Sequence, residues 1–311
     1  MGKKSDRTDV RAYPLTNQPF GSFPELRSGS LLRVNPEQAF IPALKSRAWA
    51  KSKGQSPKEI RFLIRKGRWD KPTAGLAMGY AQANLVILPH KYAFDFLLFC
   101  QRNPKPCPLL EVLEPGQYRT KFLASDADFR TDIPRYNIYR KGRLEVTLKE
   151  IKNLWKSDFV TFLLGCSFSF EEALLRAKIS IRHIEENKNV PMYITNLPCK
   201  PAGLFQGPMV VSMRPIHPDK VNRAVQITSR YASVHGGPIH IGDPSKIGIK
   251  DLKKPDFGDS VTIKKGEIPV FWACGVTPQA VVMKAKPHLC ITHAPGHMFI
   301  TDLLNEELVT F

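Results

Sequence analysis

Apolar positions recur along this chain with two periods, and the switch between them marks the elements. Ile60, Leu63 and Ile64 stand at helical spacing within 57–67, which predicts an amphipathic helix. Ala83 to Leu88 reads as a buried strand stopped by Pro89, and Lys91 to Arg102 as a buried helix stopped by the Pro-rich stretch 104–108. From Leu109 to about Leu154 short β-like runs (Leu109–Val112, Arg135–Tyr139, Arg143–Val146) alternate with turn residues. That texture predicts a small α+β subdomain inserted at about 107–156. Phe159 to Leu164 reads as a strand or a helix start. Further strands are expected at Met209–Met213, Ile239–Ile241, Ile268–Ala273 and Leu289–Thr292. Helices are expected from Ser169 to about Lys178, over Pro218–Tyr231, and from Thr277 to Met283. Ser169 and Thr277 are the predicted caps, with Glu171 and Glu172 in one first turn and Pro278 opening the other helix. Strands alternating with helices over most of the chain predict a layered α/β architecture. Residues 1–24, polar with scattered Pro and Gly, predict a flexible basic tail, and 36–48 suggest short helical pieces. The remainder, 25–311, reads as one catalytic region.

Composition narrows the class. With 311 residues and 42% hydrophobic positions the chain can bury a sizeable core. No apolar run approaches the ~18 residues of a membrane span, and the N-terminus has no apolar signal segment. Six cysteines without a CxxC pair point to a reducing, cytoplasmic setting and away from a disulfide framework. The formal charge of +18 raises nucleic acid as a partner. Its distribution argues otherwise. Residues 1–71 hold 16 Lys and Arg against 6 Asp and Glu, whereas 233–311 hold 8 of each sign. A basic nucleic-acid-binding protein is the alternative of another class and predicts salt-dependent binding. Basic residues are nowhere interleaved with aromatics, so the expected partner is a small acidic molecule, with no nucleic acid and no membrane. A homo-oligomer is left open.

Several motifs go beyond periodicity. They include Pro72-Thr73-Ala74-Gly75-Leu76-Ala77 with Gln82-Ala83-Asn84-Leu85, Asp95 to Pro104, and Gly165-Cys166-Ser167-Phe168-Ser169-Phe170-Glu171. Others are Asn189-Val190-Pro191-Met192-Tyr193, Val211-Ser212-Met213-Arg214-Pro215, His240-Ile241-Gly242-Asp243-Pro244 and Pro255-Asp256-Phe257-Gly258-Asp259. The set closes with Phe271 to Gln279 and Thr292-His293-Ala294-Pro295-Gly296-His297-Met298. In number and order they resemble the D-glutamate cyclase family, whose bacterial members carry hydro-lyase labels, over about residues 27–302. The resemblance implies a three-layer α/β/α sandwich with a smaller two-layer α+β subdomain. It also implies a dehydration in which D-glutamate closes to 5-oxo-D-proline; a hydro-lyase acting on another small carboxylic or amino acid is the alternative. It brings no agreed catalytic residues, so roles are assigned from chemistry.

Ring closure needs a base for the amine, polarisation of the distal carboxyl, an acid for the departing hydroxyl and a cation for the other carboxylate. His293 and His297, four residues apart across an Ala-Pro-Gly turn, are candidates for acid and base. Cys274 lies between a predicted strand and a helix start, where a thiolate or an oxyanion is favoured. His240 and Asp243 flank a Gly turn, where the acid would orient the imidazole. Arg214 is the candidate for the substrate carboxylate. Ser167 and Ser169, sharing one face, with Gln279, are candidates for further substrate contacts. Asp256 and Asp259 are read as turn residues. No cofactor is required by this scheme. A divalent metal would polarise the carboxylate, and His240, Asp243, Asp302, His293 and His297 are its candidate ligands.

Overall fold

The computed structural model describes residues 54–120 and 122–310; the expected tail at 1–24 and the helical pieces at 36–48 lie outside them. The first described helix, α1 (Pro57–Arg65), begins with a capping box. Ser56 Oγ accepts the Glu59 N–H, the Glu59 carboxylate accepts the Ser56 N–H, and Pro57 opens the helix. Its apolar stripe, Ile60 and Ile64, packs on Leu76 and Ile300.

Two antiparallel sheets follow. The larger joins β1 (Tyr80–Pro89), β2 (Leu109–Val112), β3 (Tyr136–Arg140), β4 (Arg143–Leu148), β5 (Phe159–Gly165), β10 (Cys290–His293) and β11 (Phe299–Leu304). Its order is β2-β5-β1-β10-β3-β4, with β11 also on β1. The smaller runs β6-β7-β9-β8, formed by Met192–Pro198, Pro208–Ile216, Ile268–Ala273 and His240–Ile241. Helices and strands are mixed as expected, and every pairing is antiparallel. The segment 107–156 gives its three strands to the large sheet, β2 bonding β5 and β3 bonding β10.

β1 is buried along almost its whole length because both faces of the sheet are covered. Leu85 and Ile87 point to a core closed by Leu123, Phe129 and Ile133. Val86 and Leu88 point to one closed by Phe96 and Phe99 of α2 (His90–Arg102) and by Val281 and Val282 of α6 (Thr277–Ala285). The small sheet is likewise filled on two sides. Val270 and Trp272 meet α3 (Phe168–Arg176) and α5 (Pro218–Ser229), between which the one-turn helix α4 (Arg182–Glu185) falls in the chain. Tyr193, Met213 and Phe271 meet Ile247, Ile249 and Val261.

One irregularity of the large sheet positions the candidate site. β1 is paired with β11 through Gln82 and Ala83, then with β10 from Val86. The turn 294–298, which joins β10 to β11, leaves the sheet beside Asn84 and Leu85. Leu85 therefore has no strand partner on that edge, and its N–H donates to His293 Nδ1 at 3.3 Å. The predicted caps are corrected here. α3 starts at Phe168 with Ser167 in the cap position, and Ser169 Oγ instead accepts the Gln82 N–H at 3.2 Å. Thr277 is the first residue of α6 rather than its cap; its Oγ1 donates to the Cys274 carbonyl at 2.7 Å and accepts the Val210 N–H at 3.1 Å. In both cases the hydroxyl ties the start of the helix to a strand, β1 for Ser169 and β7 for Thr277.

Candidate active site

The ends of β5 and β9 and the 294–298 turn converge on the middle of β1. Asn84, fully enclosed, donates its amide to the Gly165 carbonyl at 2.7 Å. Gly275 presses on the other side of the same amide, where a Cβ would overlap it. Gly275→Ala is therefore expected to cost about 1–3 kcal/mol through overpacking, measured as a lowered midpoint of urea unfolding. The motif residues Thr73 and Gln82 fasten the remaining wall. Thr73 Oγ1 accepts the Met298 N–H at 2.9 Å, and its backbone N–H donates to Gly296 O at 2.8 Å. Gln82 Nε2 donates to the carbonyls of Thr73 (3.0 Å) and Leu76 (3.2 Å).

Against this frame lies a buried charge cluster. Arg214, 0% exposed on β7, reaches across to α3. Its Nε donates to Glu171 Oε1 at 3.0 Å, its Nη1 to Ser212 Oγ at 2.9 Å, and its Nη2 to Ser167 Oγ at 3.0 Å and again to Glu171. The guanidinium is flanked by Phe170 and Trp272, each 5.4 Å from ring centroid to charge. Four of its five N–H bonds are thus engaged, so a substrate carboxylate could take two parallel hydrogen bonds from Arg214 only by displacing an internal partner. His183, stacked on Phe168, places Nε2 3.4 Å from Glu171 Oε1. Burial alone raises the Glu171 carboxyl, but His183 and Arg214 outweigh it and hold it below the usual carboxylate range.

Of the expected residues, the fold brings together Arg214, Ser167, Ser169 and Cys274. Cys274 packs with Cys166 and Met298. Burial pushes its thiol up to about 11, with Val276 N–H and Arg214 offsetting only part. A thiolate nucleophile is therefore disfavoured. Gln279 and His293 form a pair beside it, Gln279 Nε2 donating to the His293 carbonyl at 2.9 Å. His293 is enclosed, and burial lowers its pKa to about 4. His297 is half-buried on the turn, its Nδ1 2.9 Å from Pro295 O, and burial lowers its pKa too.

His240 and Asp243 are not part of this gathering. His240 pairs with Phe271 and lies against its ring, whereas Arg214 pairs with Val270 and shares the Trp272 face. Adjacent residues of a strand face opposite sides, so the two sets are separated by the sheet. Asp243 does not orient the imidazole. Its carboxylate accepts from Ser245 N–H (2.9 Å) and Oγ (2.7 Å), and His240 Nε2 meets the Asp243 backbone carbonyl at 2.7 Å. Asp256 and Asp259 bond backbone amides, but not those of their own turn: they accept the N–H groups of Ile194 and Asn189, 62 and 70 residues away in sequence. Asp302 is held by Arg61 through both oxygens. Among the described residues no group of three or more His, Cys, Asp and Glu side chains is arranged to hold a metal ion. Nor is any helix among them long and apolar enough to cross a membrane.

Glu171, His183 and Gln82 are the site residues that sequence reasoning left without a role. Glu171 carried a signal. It falls between Phe168 and Leu174 at helical spacing, so it belongs to the apolar face of α3. Beside it a cleft of about 30 Å³ opens between the 75–80 loop and α3, lined by Gln82, Phe168, Glu171, Glu172 and Asn305 among others.

Comparison with known proteins agrees with the motifs. Residues 160–302 match the family model described as D-glutamate cyclase. The chain is 64% identical over 253 residues to the protein named "Putative hydro-lyase GK2103" of Geobacillus kaustophilus, covering 81% of this chain and 96% of that one. It is 64% identical over 252 residues to "Putative hydro-lyase Teth514_1597" of Thermoanaerobacter sp., covering 81% and 95%. It is 60% identical over 253 residues to "Putative hydro-lyase YcsI" of Bacillus subtilis, covering 81% and 98%. The matched stretches span β5 with Ser167 and Glu171, β7 with Arg214 and the turn with His293 and His297, and on this ground the chain belongs to the D-glutamate cyclase family.

Proposed function

We propose that this protein is a carbon–oxygen lyase that removes water from a small amino acid, closing D-glutamate to 5-oxo-D-proline. The observation that carries the reading is the Glu171 carboxylate, which lines the cleft beside Glu172 while an arginine and a histidine hold it from behind. In the closure the substrate nitrogen forms a bond to the distal carboxyl carbon, and one carbon–oxygen bond of that carboxyl breaks. The nitrogen loses two protons, and water carries two away, so the reaction needs no external proton. It needs one group that takes a proton at nitrogen and returns it at oxygen. In this reading Glu171 does that work. Arg214 and His183 are positioning residues, because they reach the cleft only through Glu171. Folding the substrate into the attack geometry supplies much of the rate, since the reaction is intramolecular.

The test is incubation of pure protein with D-glutamate and, separately, with 5-oxo-D-proline, both followed by chiral chromatography with and without divalent metal. Interconversion is expected, with little on the L enantiomers; no conversion in either direction would rule the reaction out. Glu171→Gln, which keeps the shape and an acceptor for Arg214, is expected to lower turnover by about 100-fold or more. An unchanged rate in that variant would remove Glu171 from the proton path.

A further inference from the structure

One end of the large sheet collects positive charge from four separate segments. The pairs Pro89–Phe159, Cys290–Tyr139 and Arg140–Arg143 place the end of β1, the start of β5, the start of β10 and the β3–β4 turn side by side. That row, β5-β1-β10-β3-β4, is four steps of about 4.8 Å, about 19 Å in all. The Lys141-Gly142 turn has both residues at positive φ, as a two-residue hairpin loop requires. It rests on the C-terminal end of α6: a Cβ on Gly142 would lie 2.5 Å from Met283 O and 2.8 Å from Lys286 Cγ. His288 donates its N–H to Tyr92 Oη at 3.3 Å, and the two rings stand 5.6 Å apart. Lys91 Nζ lies 4.9 Å from the centroid of the Tyr92 ring. The His90 N–H donates to Asp158 O at 2.7 Å, which brings in Lys156. Segments 90–92, 140–145, 156–158 and 286–288 together hold six cations (Lys91, Arg140, Lys141, Arg143, Lys156, Lys286) against two carboxylates, Glu145 and Asp158. All six cations are exposed. Of these six, only Arg140 has an ion-pair partner among the described residues, Glu145. The field reaches His288, where burial, Lys91, Lys156 and Arg140 all lower the imidazole's pKa against Asp158. A large apolar side chain stands among these charges. Phe94, 73% exposed, follows His90 and Lys91 by four and three residues on α2 and so shares their face of the helix.

We propose that this end of the large sheet binds single-stranded nucleic acid, the cations following its phosphates and Phe94 taking a base by stacking. A positively charged row with an exposed ring among its charges is the pattern such strands require. The linear sequence does not display it, because the four segments lie far apart along the chain and only strand pairing aligns them. None of these residues lines the Glu171 cleft, so the inference is independent of the lyase reading. An anionic bilayer is the rival partner. It would be gripped by the apolar face of a helix. α2 instead buries that face, with Phe96, Phe99 and Cys100, in the core, and Phe94 is its one exposed large apolar side chain.

Fluorescence anisotropy tests this, with a labelled oligouridylate of about fifteen nucleotides titrated with the full-length protein at about 50 and 200 mM KCl. Neutralising about four phosphates, at about 0.7 counterions each, predicts binding about 50-fold weaker at the higher salt. Lys141→Gln combined with Lys286→Gln is expected to reduce that salt ratio to about sevenfold, since two contacts are lost. Phe94→Ala is expected to weaken binding about tenfold at both salts and to leave the salt ratio unchanged. All three side chains are exposed, so neither variant disturbs the core. The proposal is overturned if the oligonucleotide does not bind, or binds without salt dependence. It is equally overturned if either variant binds as the wild type does, which would place the contact elsewhere on the chain. Loss of sedimentation with phosphatidylserine-containing vesicles in Phe94→Ala, with oligonucleotide binding intact, would make a membrane the partner and overturn it too.

Discussion

Arg214→Met is expected to destabilise the protein by about 3–5 kcal/mol, the usual cost of leaving one partner of a buried ion pair alone. The guanidinium is the charge that Glu171 meets through hydrogen bonds from two nitrogens, and neither side chain has appreciable access to water. Methionine fills most of the space between Phe170 and Trp272 but returns nothing to the carboxylate or to Ser167 and Ser212. His183 remains as a single partner on the far side. The double variant Arg214→Met with Glu171→Leu removes both charges, and most of the lost stability is expected to return, because the penalty belongs to the unpaired charge and not to the absence of the pair. Urea unfolding of the three proteins measures this. A loss below about 1 kcal/mol in the single variant, or no recovery in the double one, would mean that the pair is screened by water and does not hold the site.

The ion pair also shows what the sequence could and could not convey. Arg214 stood out in the sequence because Pro215 after an apolar run suggested a strand end; β7 instead continues to Ile216, with Arg214 inside it and paired with Val270. Its partner was not read, since Glu171 in a helix's first turn has a ready local explanation in the helix dipole. Only the apolar neighbours at helical spacing mark it as inward-facing. Strands β1, β7 and β9 were legible because buried central strands are nearly continuous apolar runs, whereas the equally apolar β5 read as a strand or a helix start, since an apolar run alone does not separate the two. β11 was not, because Asp302 interrupts Phe299–Leu304; that acid is neutralised by Arg61, more than two hundred residues away in sequence. The placing of His240 and Asp243 failed for a related reason. A two-residue edge strand carries no periodicity, and shifting its register by one residue moves a side chain to the other face. Expecting Asp243 to orient His240 relied on proximity in sequence, where turn chemistry with Ser245 took the carboxylate. That Gln82 Oε1 and Asn305 Oδ1 find no hydrogen-bond partner among the described residues was invisible for a deeper reason, since a missing hydrogen bond is a property of the folded environment and not of a residue type.

Acidification from pH 7.5 to 5 is expected to remove several kcal/mol of stability before any carboxylate titrates appreciably. Two histidines contribute most, and His297 and His288, which burial also lowers, add to the same slope. Burial lowers both His235 and His293 from 6.5 to about 4, with Lys105 and Leu85 backbone bonds opposing it only in part. In the unfolded chain each takes up its proton near pH 6.5; in the folded protein each resists until about pH 4. The unfolded state therefore binds more protons throughout that window, and stability falls as pH falls. The slope is up to about 1.4 kcal/mol per pH unit for each histidine, roughly twice that for the pair. Stability from these groups is complete above pH 6.5 and lost by about pH 4. Glu171, held low by His183 and Arg214, adds a further loss only below its ordinary value of 4.5. The physical origin differs between the two histidines. His293 lies against the Leu85 backbone that the forked sheet leaves without a strand partner, its Nδ1 3.3 Å from the N–H and 3.4 Å from the carbonyl. His235 sits at φ 87° with Nδ1 2.8 Å from the Lys105 carbonyl, in the field of Arg214. His235→Asn tolerates the left-handed backbone and can still donate to Lys105, so it is expected to halve the slope between pH 6.5 and 5 while changing stability little at pH 7.5. Urea midpoints that stay constant from pH 7.5 to 5 in the wild-type protein would show that both imidazoles reach water when charged. The enclosed arrangement around Leu85 and Gly165 would then have to be looser than its hydrogen bonds imply.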